Sequence, residues 1–208
     1  MNKLQFITHR TARYSYADGV KMALEGGCRW IQLRMKGAST QEIMEVAGVI
    51  KPMCVTYGAV FVIDDHVELV RELHADGVHL GKNDMPVAEA RHILSSDYII
   101  GGTANTLADV ESLYGAGADY VGCGPFRFTT TKKNLSPVLG IDGYHHIIRG
   151  MRMKNMNIPI FAIGGITYQD IPDIMEAGVD GIAVSGAMLN SCKPAKEMMR
   201  MIDIINNI

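Results

Sequence analysis

A single (β/α)8 barrel, an α/β fold of the TIM-barrel type, is what the sequence predicts, and three observations predict it. First, one arrangement recurs. A helix-like stretch ends in Gly or Ala-Asp and a short apolar run begins at once, as in EGGCRWIQLR (25–34), HADGVHLG (74–81), GAGADYVGCG (115–124) and EAGVDGIAVSG (176–186). Gly suits the left-handed residue that ends a helix, and short apolar runs suit strands buried on both faces of a parallel sheet. Second, the chain holds eight such runs: LQFIT (4–8), WIQLR (30–34), AVFVI (59–63), GVHL (77–80), YIIGGT (98–103), YVGCG (120–124), IPIFAIG (158–164) and GIAVS (181–185). Third, helix-start signals fall between them. Ser39 with Glu42 spells a capping box, Pro86 suits the first turn of a helix, and Pro172 suits an early turn with Asp170 as the cap. An open doubly wound sheet is the competing fold, but no GxGxxG follows the first strand.

Composition bounds the rest. The 208 residues are 48% hydrophobic and 20% charged, with no linker or low-complexity segment, so residues 1–208 read as one domain. A net charge of -2 gives no global field for nucleic acid. MNKLQFITHR lacks an apolar signal-peptide core, and no apolar run nears the ~18 residues of a membrane span. Cys28, Cys54, Cys123 and Cys192 lie far apart with no CxxC, which reads as reduced, buried thiols in a cytoplasmic protein. Fourteen methionines are expected to fill gaps in the core.

A barrel turns the sequence into a map, because its active sites lie at the C-terminal strand ends. Alternation puts Gln32, Arg34 and Lys36 on one side of the second strand end, where two cations suit a diphosphate. The third strand ends in Asp64-Asp65-His66 and the fourth runs on to Asp84. Carboxylates there suit Mg²⁺ shared with substrate phosphates, although each could instead cap a helix, VELVREL (67–73) in the case of Asp64 or Asp65. His79 is expected to fill the barrel or its rim. Thr103 ends the fifth strand, either facing a polar ring or opening a helix. Gly164-Gly165 and Val184-Ser185-Gly186 end the last two strands, where glycine backbone suits a phosphate. FTTTKKN (128–134) follows the sixth strand and can reach between the two anion sites. Such a pair of sites suits joining a diphosphate-activated substrate to a second phosphorylated one.

These strand ends carry a resemblance. QLRMKG (32–37), VIDDHVELV (62–70), ADGVHLGKND (75–84), GADYVGCGPF (117–126) with TTTKK (129–133), and IGGI (163–166) with AGVDGIAVSGA (177–187) together resemble the thiamine phosphate synthase family over nearly the whole chain. The resemblance implies a Mg²⁺-dependent transferase joining hydroxymethylpyrimidine diphosphate to a thiazole phosphate, with release of pyrophosphate. It implies Gln32, Arg34 and Lys36 on the pyrimidine diphosphate, with Asp64 beside it, and Asp65 and Asp84 as metal ligands. Thr103 would contact the pyrimidine, and Lys132 the diphosphate. Thr129, Thr131, Gly165, Val184 and Ser185 would serve the thiazole phosphate. Arg34, Lys36 and Lys132 would stabilise the leaving group. The implied partners are these small molecules, with no nucleic acid, no membrane, and a homodimer left open. Three positions depart from the family pattern: Asp64 replaces Asn, Lys82 replaces Gln, and Thr103 replaces Ser. Lys82 is expected to offset the charge of Asp64, and the 128–134 loop to close over both substrates. A tautomerase branch of the family carries His after the sixth-strand Gly, where this chain has Pro125. A non-catalytic relative would have lost the carboxylates and the loop lysines.

Overall fold

A computed structural model describes residues 2–129 and 136–208 of the chain. Eight parallel strands close into a barrel in sequence order: β1 (Leu4–Ile7), β2 (Trp30–Leu33), β3 (Val60–Asp64), β4 (Gly77–Leu80), β5 (Ile99–Ala104), β6 (Tyr120–Cys123), β7 (Ile160–Ile163) and β8 (Gly181–Val184). The helices are α1 (Tyr16–Glu25), α2 (Thr40–Thr56), α3 (Val87–Leu94), α4 (Leu107–Gly115), α5 (Gly140–Met153), α6 (Ile171–Glu176), α7 (Gly186–Leu189) and α8 (Pro194–Asn206). All eight expected strands are present. The Ser39–Glu42 capping box opens α2, Ser39 Oγ accepting from Glu42 N while Glu42 accepts from Ser39 N.

The helix starts need three corrections. Between β3 and β4 the expected helix is only a 3-10 turn, Val67–Leu69, and neither Asp64 nor Asp65 caps it. Residues 65–76 are too few for a loop, a full helix and a return. Pro86 is the residue just before α3 rather than its first turn. Asp170 precedes α6, but its carboxylate makes no cap; it accepts from Thr167 N and Oγ1 and from Arg127. Cys28, Cys54 and Cys123 are buried as expected, but Cys192 is exposed. Met188, Met198 and Met201 fill the core, while Met153 and Met199 lie on the surface. Among the described residues, no helix is long and apolar enough to cross a membrane.

Alternation along the strands sorts side chains into two cores. Ile31, Leu33, Phe61 and Ile63 face the helices. Trp30, Val62, Tyr120 and Phe161 form a separate cluster inside the barrel. Trp30 meets Tyr120 and Phe161 edge-on, each with ring centroids 4.8 Å apart. Such pairs add roughly 0.5–1.5 kcal/mol each beyond the area they bury. The same alternation carries Trp30 to Gln32 and then Arg34, and Val62 to Asp64. The barrel is therefore plugged with aromatic rings below and lined with polar groups above.

The plug needs glycine beside it. A Cβ at Gly101 would lie 2.2 Å from Tyr120 Cζ. Gly101→Ala is expected to destabilise the fold by about 1–3 kcal/mol, the usual cost of overpacking a filled core. A urea midpoint lowered without a change in slope would show this, and an unchanged midpoint would show that the ring can give way.

Candidate active site

The C-terminal strand ends surround a cavity of about 460 Å³. Its lining includes Arg34, Thr103, Thr129, Gly165, Val184 and Ser185, all singled out from sequence. Gly164 and Gly165 have φ of 98° and 70°, which disfavours any side chain there. A Cβ at Gly164 would also lie 2.8 Å from Pro125. Bare backbone therefore forms this wall. Arg127 locks it from outside, its guanidinium donating to both oxygens of Asp170 at 2.6 and 2.9 Å and to the Gly165 carbonyl at 3.0 Å.

Beside the cavity lies a cluster of carboxylates and cations. Buried Asp64 accepts from Gln32 Nε2 at 2.7 Å and pairs with Arg34 Nε at 3.3 Å. Lys36 Nζ lies 3.6 Å from Asp64 and 3.8 Å from Asp84, and it bonds directly to Asp65. Three carboxylates thus converge on one ammonium. Asp84 also accepts from Gly81 N at 2.7 Å, so it fastens the β4 loop instead of capping α3. Asp65 holds a left-handed backbone, φ 69°, a region that apart from Gly mainly Asn and Asp enter.

The charges respond to this crowding. Burial, a hydrogen bond with Asp84 and the charge of Asp64 push the Asp65 carboxyl up to about 7. Burial also raises Asp64, against the pull of Lys36 and Arg34. Burial works against ionised Asp84 too, but the hydrogen bond from Asp65, the Gly81 N–H and Lys36 hold it below the usual carboxylate range. For Lys36, burial is outweighed by its hydrogen bond to Asp65 and the charges of Asp64, Asp65 and Asp84, which hold it above its ordinary value.

This cluster fits a divalent cation. It already concentrates carboxylates around one positive charge, and the buried Asp65 Oδ1 has no hydrogen-bond partner among the described residues. Among the described residues, no three His, Cys, Asp or Glu side chains form a ready-made metal cage.

The Lys82 expectation is overturned. Its ammonium pairs with Asp109 at 2.7 Å, not with Asp64, whose charge is met by Gln32, Arg34 and Lys36. Asp109 is the third residue of α4 and completes the capping box with Thr106, so Lys82 fastens one loop to the next. Substitutions Asp64→Asn and Lys82→Gln are therefore expected to act independently. A double-mutant cycle on kcat/KM should give a coupling below about 0.5 kcal/mol, and a coupling well above that would restore the compensating pair.

Thr103 does not open a helix. Its hydroxyl lies 2.9 Å from His79 Nε2, and Thr106 caps α4 instead. His79 is buried inside the rim, as expected. Thr131 and Lys132, with most of the 128–134 loop and its expected closure, lie outside the described residues. Two site residues escaped the sequence reading. His9, just after β1, has Nδ1 3.1 Å from Ser185 Oγ. Asn105 donates to the Gly124 carbonyl and accepts from Ser136 Oγ, so it ties both flanks of the β6–α5 loop to β5. Both stand just past a strand C-terminus, the position at which a barrel places its chemistry.

Comparison with known proteins identifies the family. Residues 4–188 match the family described as thiamine monophosphate synthase. The chain belongs to that family. It is 62% identical over 202 residues to the thiamine-phosphate synthase of Phocaeicola vulgatus, covering 97% of each chain. It is 40% identical over 202 residues to that of Pyrococcus horikoshii, covering 96% of this chain and 94% of the relative. The thiamine phosphate pyrophosphorylase structure from Pyrococcus furiosus superposes with a TM-score of 0.87 at 33% identity, covering 99% of this chain and 96% of that one.

Proposed function

We propose that this chain, acting as a single barrel domain in the cytoplasm, is a thiamine-phosphate synthase. It would join hydroxymethylpyrimidine diphosphate to a thiazole phosphate and release pyrophosphate. The observation that carries this reading is Arg34. Its side chain pairs with Asp64 in the carboxylate–cation cluster and also lines the cavity. One guanidinium thus joins a place for a charged diphosphate to a place for its organic group.

Asp65 and Asp84 would hold Mg²⁺. When bound, the metal would supply positive charge that neutralises the diphosphate oxygens. The chain's own residues do the rest. Arg34 and Lys36, with Lys132 from the loop, hold the diphosphate as charge develops on it. Gln32 and Asp64 keep Arg34 aimed. The methylene C–O bond breaks, its electron pair leaves with pyrophosphate, and the aminopyrimidine spreads the positive charge left on carbon. The thiazole nitrogen then donates its lone pair to that carbon, forming the C–N bond. No protein nucleophile is needed. Gly165, Val184 and Ser185, with Thr129 and Thr131, hold the thiazole phosphate so that its nitrogen meets the pyrimidine on Thr103. Most of the gain comes from fixing two substrates in line in a closed space.

Pro125 after the β6 glycine speaks against a tautomerase, and the converging carboxylates speak against a non-catalytic relative. The test is a product assay. Both substrates with Mg²⁺ are expected to yield thiamine phosphate and pyrophosphate in equal amounts, while thiazole phosphate alone yields no isomer. Isomerisation without condensation would replace this reading with the tautomerase.

A further inference from the structure

Under the cavity runs a chain of buried polar side chains that the mechanism above does not use. Gln5, His79 and Tyr120 are 2%, 7% and 0% exposed. Gln5 Nε2 lies 3.2 Å from the Tyr120 hydroxyl, that hydroxyl lies 3.1 Å from His79 Nδ1, and His79 Nε2 lies 2.9 Å from Thr103 Oγ1. Only the last two residues, His79 and Thr103, reach the cavity lining. The backbone is fitted to the chain. Gly101 stands in register between His79 and Tyr120, and Gly122 is paired with Thr103. A Cβ at Gly101 would strike the Tyr120 ring, and one at Gly122 would press on His79 Cε1 at 3.0 Å.

The bonds can all run in one direction. An amide nitrogen only donates, so the Tyr120 oxygen accepts from Gln5 and keeps its own proton to give, and His79 Nδ1 at 3.1 Å is placed to accept it. Burial raises the Tyr120 phenol, which therefore keeps that proton to give. A neutral imidazole that accepts at Nδ1 carries its proton on Nε2 and donates it to Thr103 Oγ1. The Thr103 hydroxyl, already accepting, turns its own proton outward. The direction is assigned from the orientation of the Gln5 amide.

We propose that Gln5, Tyr120 and His79 are positioning residues that make the Thr103 hydroxyl a fixed hydrogen-bond donor to the cavity. The heteroaromatic ring bound there must then present an acceptor, a ring nitrogen, to Thr103. A ring presenting C–H or N–H at that point leaves a buried donor unpaired, and buried unpaired donors are penalised. This deepens the proposed function and rests on its placing of the pyrimidine at Thr103.

Two arms test it. In the ligand-free chain with ¹⁵N-labelled histidine, long-range ¹H–¹⁵N correlations should show His79 as the Nε2–H tautomer at neutral pH, with its signals identified by their loss in His79→Gln. Tyr120→Phe should remove that preference. An Nδ1–H pattern, or a pattern unchanged in Tyr120→Phe, overturns the proposal whatever the enzyme makes. In kinetics, Tyr120→Phe should raise KM for the pyrimidine diphosphate roughly five- to tenfold, the weight of one hydrogen bond, with kcat nearly kept. Thr103→Val should do the same and Thr103→Ser should recover most of the loss. Added to Thr103→Val, Tyr120→Phe should cost nothing more, and a second, multiplicative loss would overturn the relay. If wild type forms no thiamine phosphate at all, the proposed function fails, and the tautomer arm still judges the relay.

Discussion

Asparagine in place of Asp65 is expected to lower kcat/KM by roughly 10³-fold, about 4 kcal/mol of transition-state stabilisation. The substitution keeps the shape of the side chain, so the fold should survive it. It removes one of the three carboxyl groups that converge on Lys36, and it leaves Lys36 with Asp64 and Asp84 alone. It also alters the carboxyl group whose buried Oδ1 has no hydrogen-bond partner among the described residues. Two things should change together: turnover falls, and the Mg²⁺ concentration for half-maximal activity rises. Asp84→Asn should act in the same direction, with a thermal melt as its control, because Asp84 also fastens the β4 loop through Gly81. Steady-state rates across a Mg²⁺ series decide the matter. Near-normal rates with an unchanged Mg²⁺ dependence in both variants would remove these carboxylates from the metal's account.

The second large effect is at Arg34. Alanine there should lower kcat/KM by roughly 10²–10³-fold, or about 3–4 kcal/mol, the usual weight of a charged group aimed at developing charge. Lysine should restore little, because a point charge cannot hold Asp64 through its Nε side and a diphosphate through the rest of the fork. The loss should fall on the diphosphate substrate. Direct titration with the pyrimidine diphosphate should weaken in Arg34→Ala, while titration with the thiazole phosphate should stay within a few-fold. Equal weakening of both would mean that Arg34 holds the cavity open rather than gripping one substrate.

Much of this arrangement can be read from the chain before any coordinates, and the reasons are physical. Glycine at the helix ends and β-branched runs after them set the eight strands, because few other residues can end a helix and enter a buried parallel sheet at once. The period of two then places Gln32 and Arg34 inside and Leu33 outside, which the two separate cores bear out. What the chain hides are contacts between elements distant in sequence. Lys82 looked like a partner for Asp64 because both depart from one family pattern, yet it reaches Asp109 at the start of α4. His9 and Asn105 carried no local pattern, and only their neighbours Ser185, Gly124 and Ser136 give them a role. The helix expected after β3 had the right composition in VELVREL, but the short return to β4 left room only for a 3-10 turn.

Lys36 is the point on which the site turns. Its ammonium sits among Asp64, Asp65 and Asp84, the carboxylates between which the metal is proposed to bind. The most direct measurement is a crystal structure with Mg²⁺ and the pyrimidine diphosphate bound. The account predicts the metal between Asp65 and Asp84, Lys36 moved off Asp65 onto a diphosphate oxygen, Arg34 bridging Asp64 and the diphosphate, and the pyrimidine against Thr103. A diphosphate lying instead on the Gly165–Ser185 wall, with Lys36 still bonded to Asp65, would contradict it.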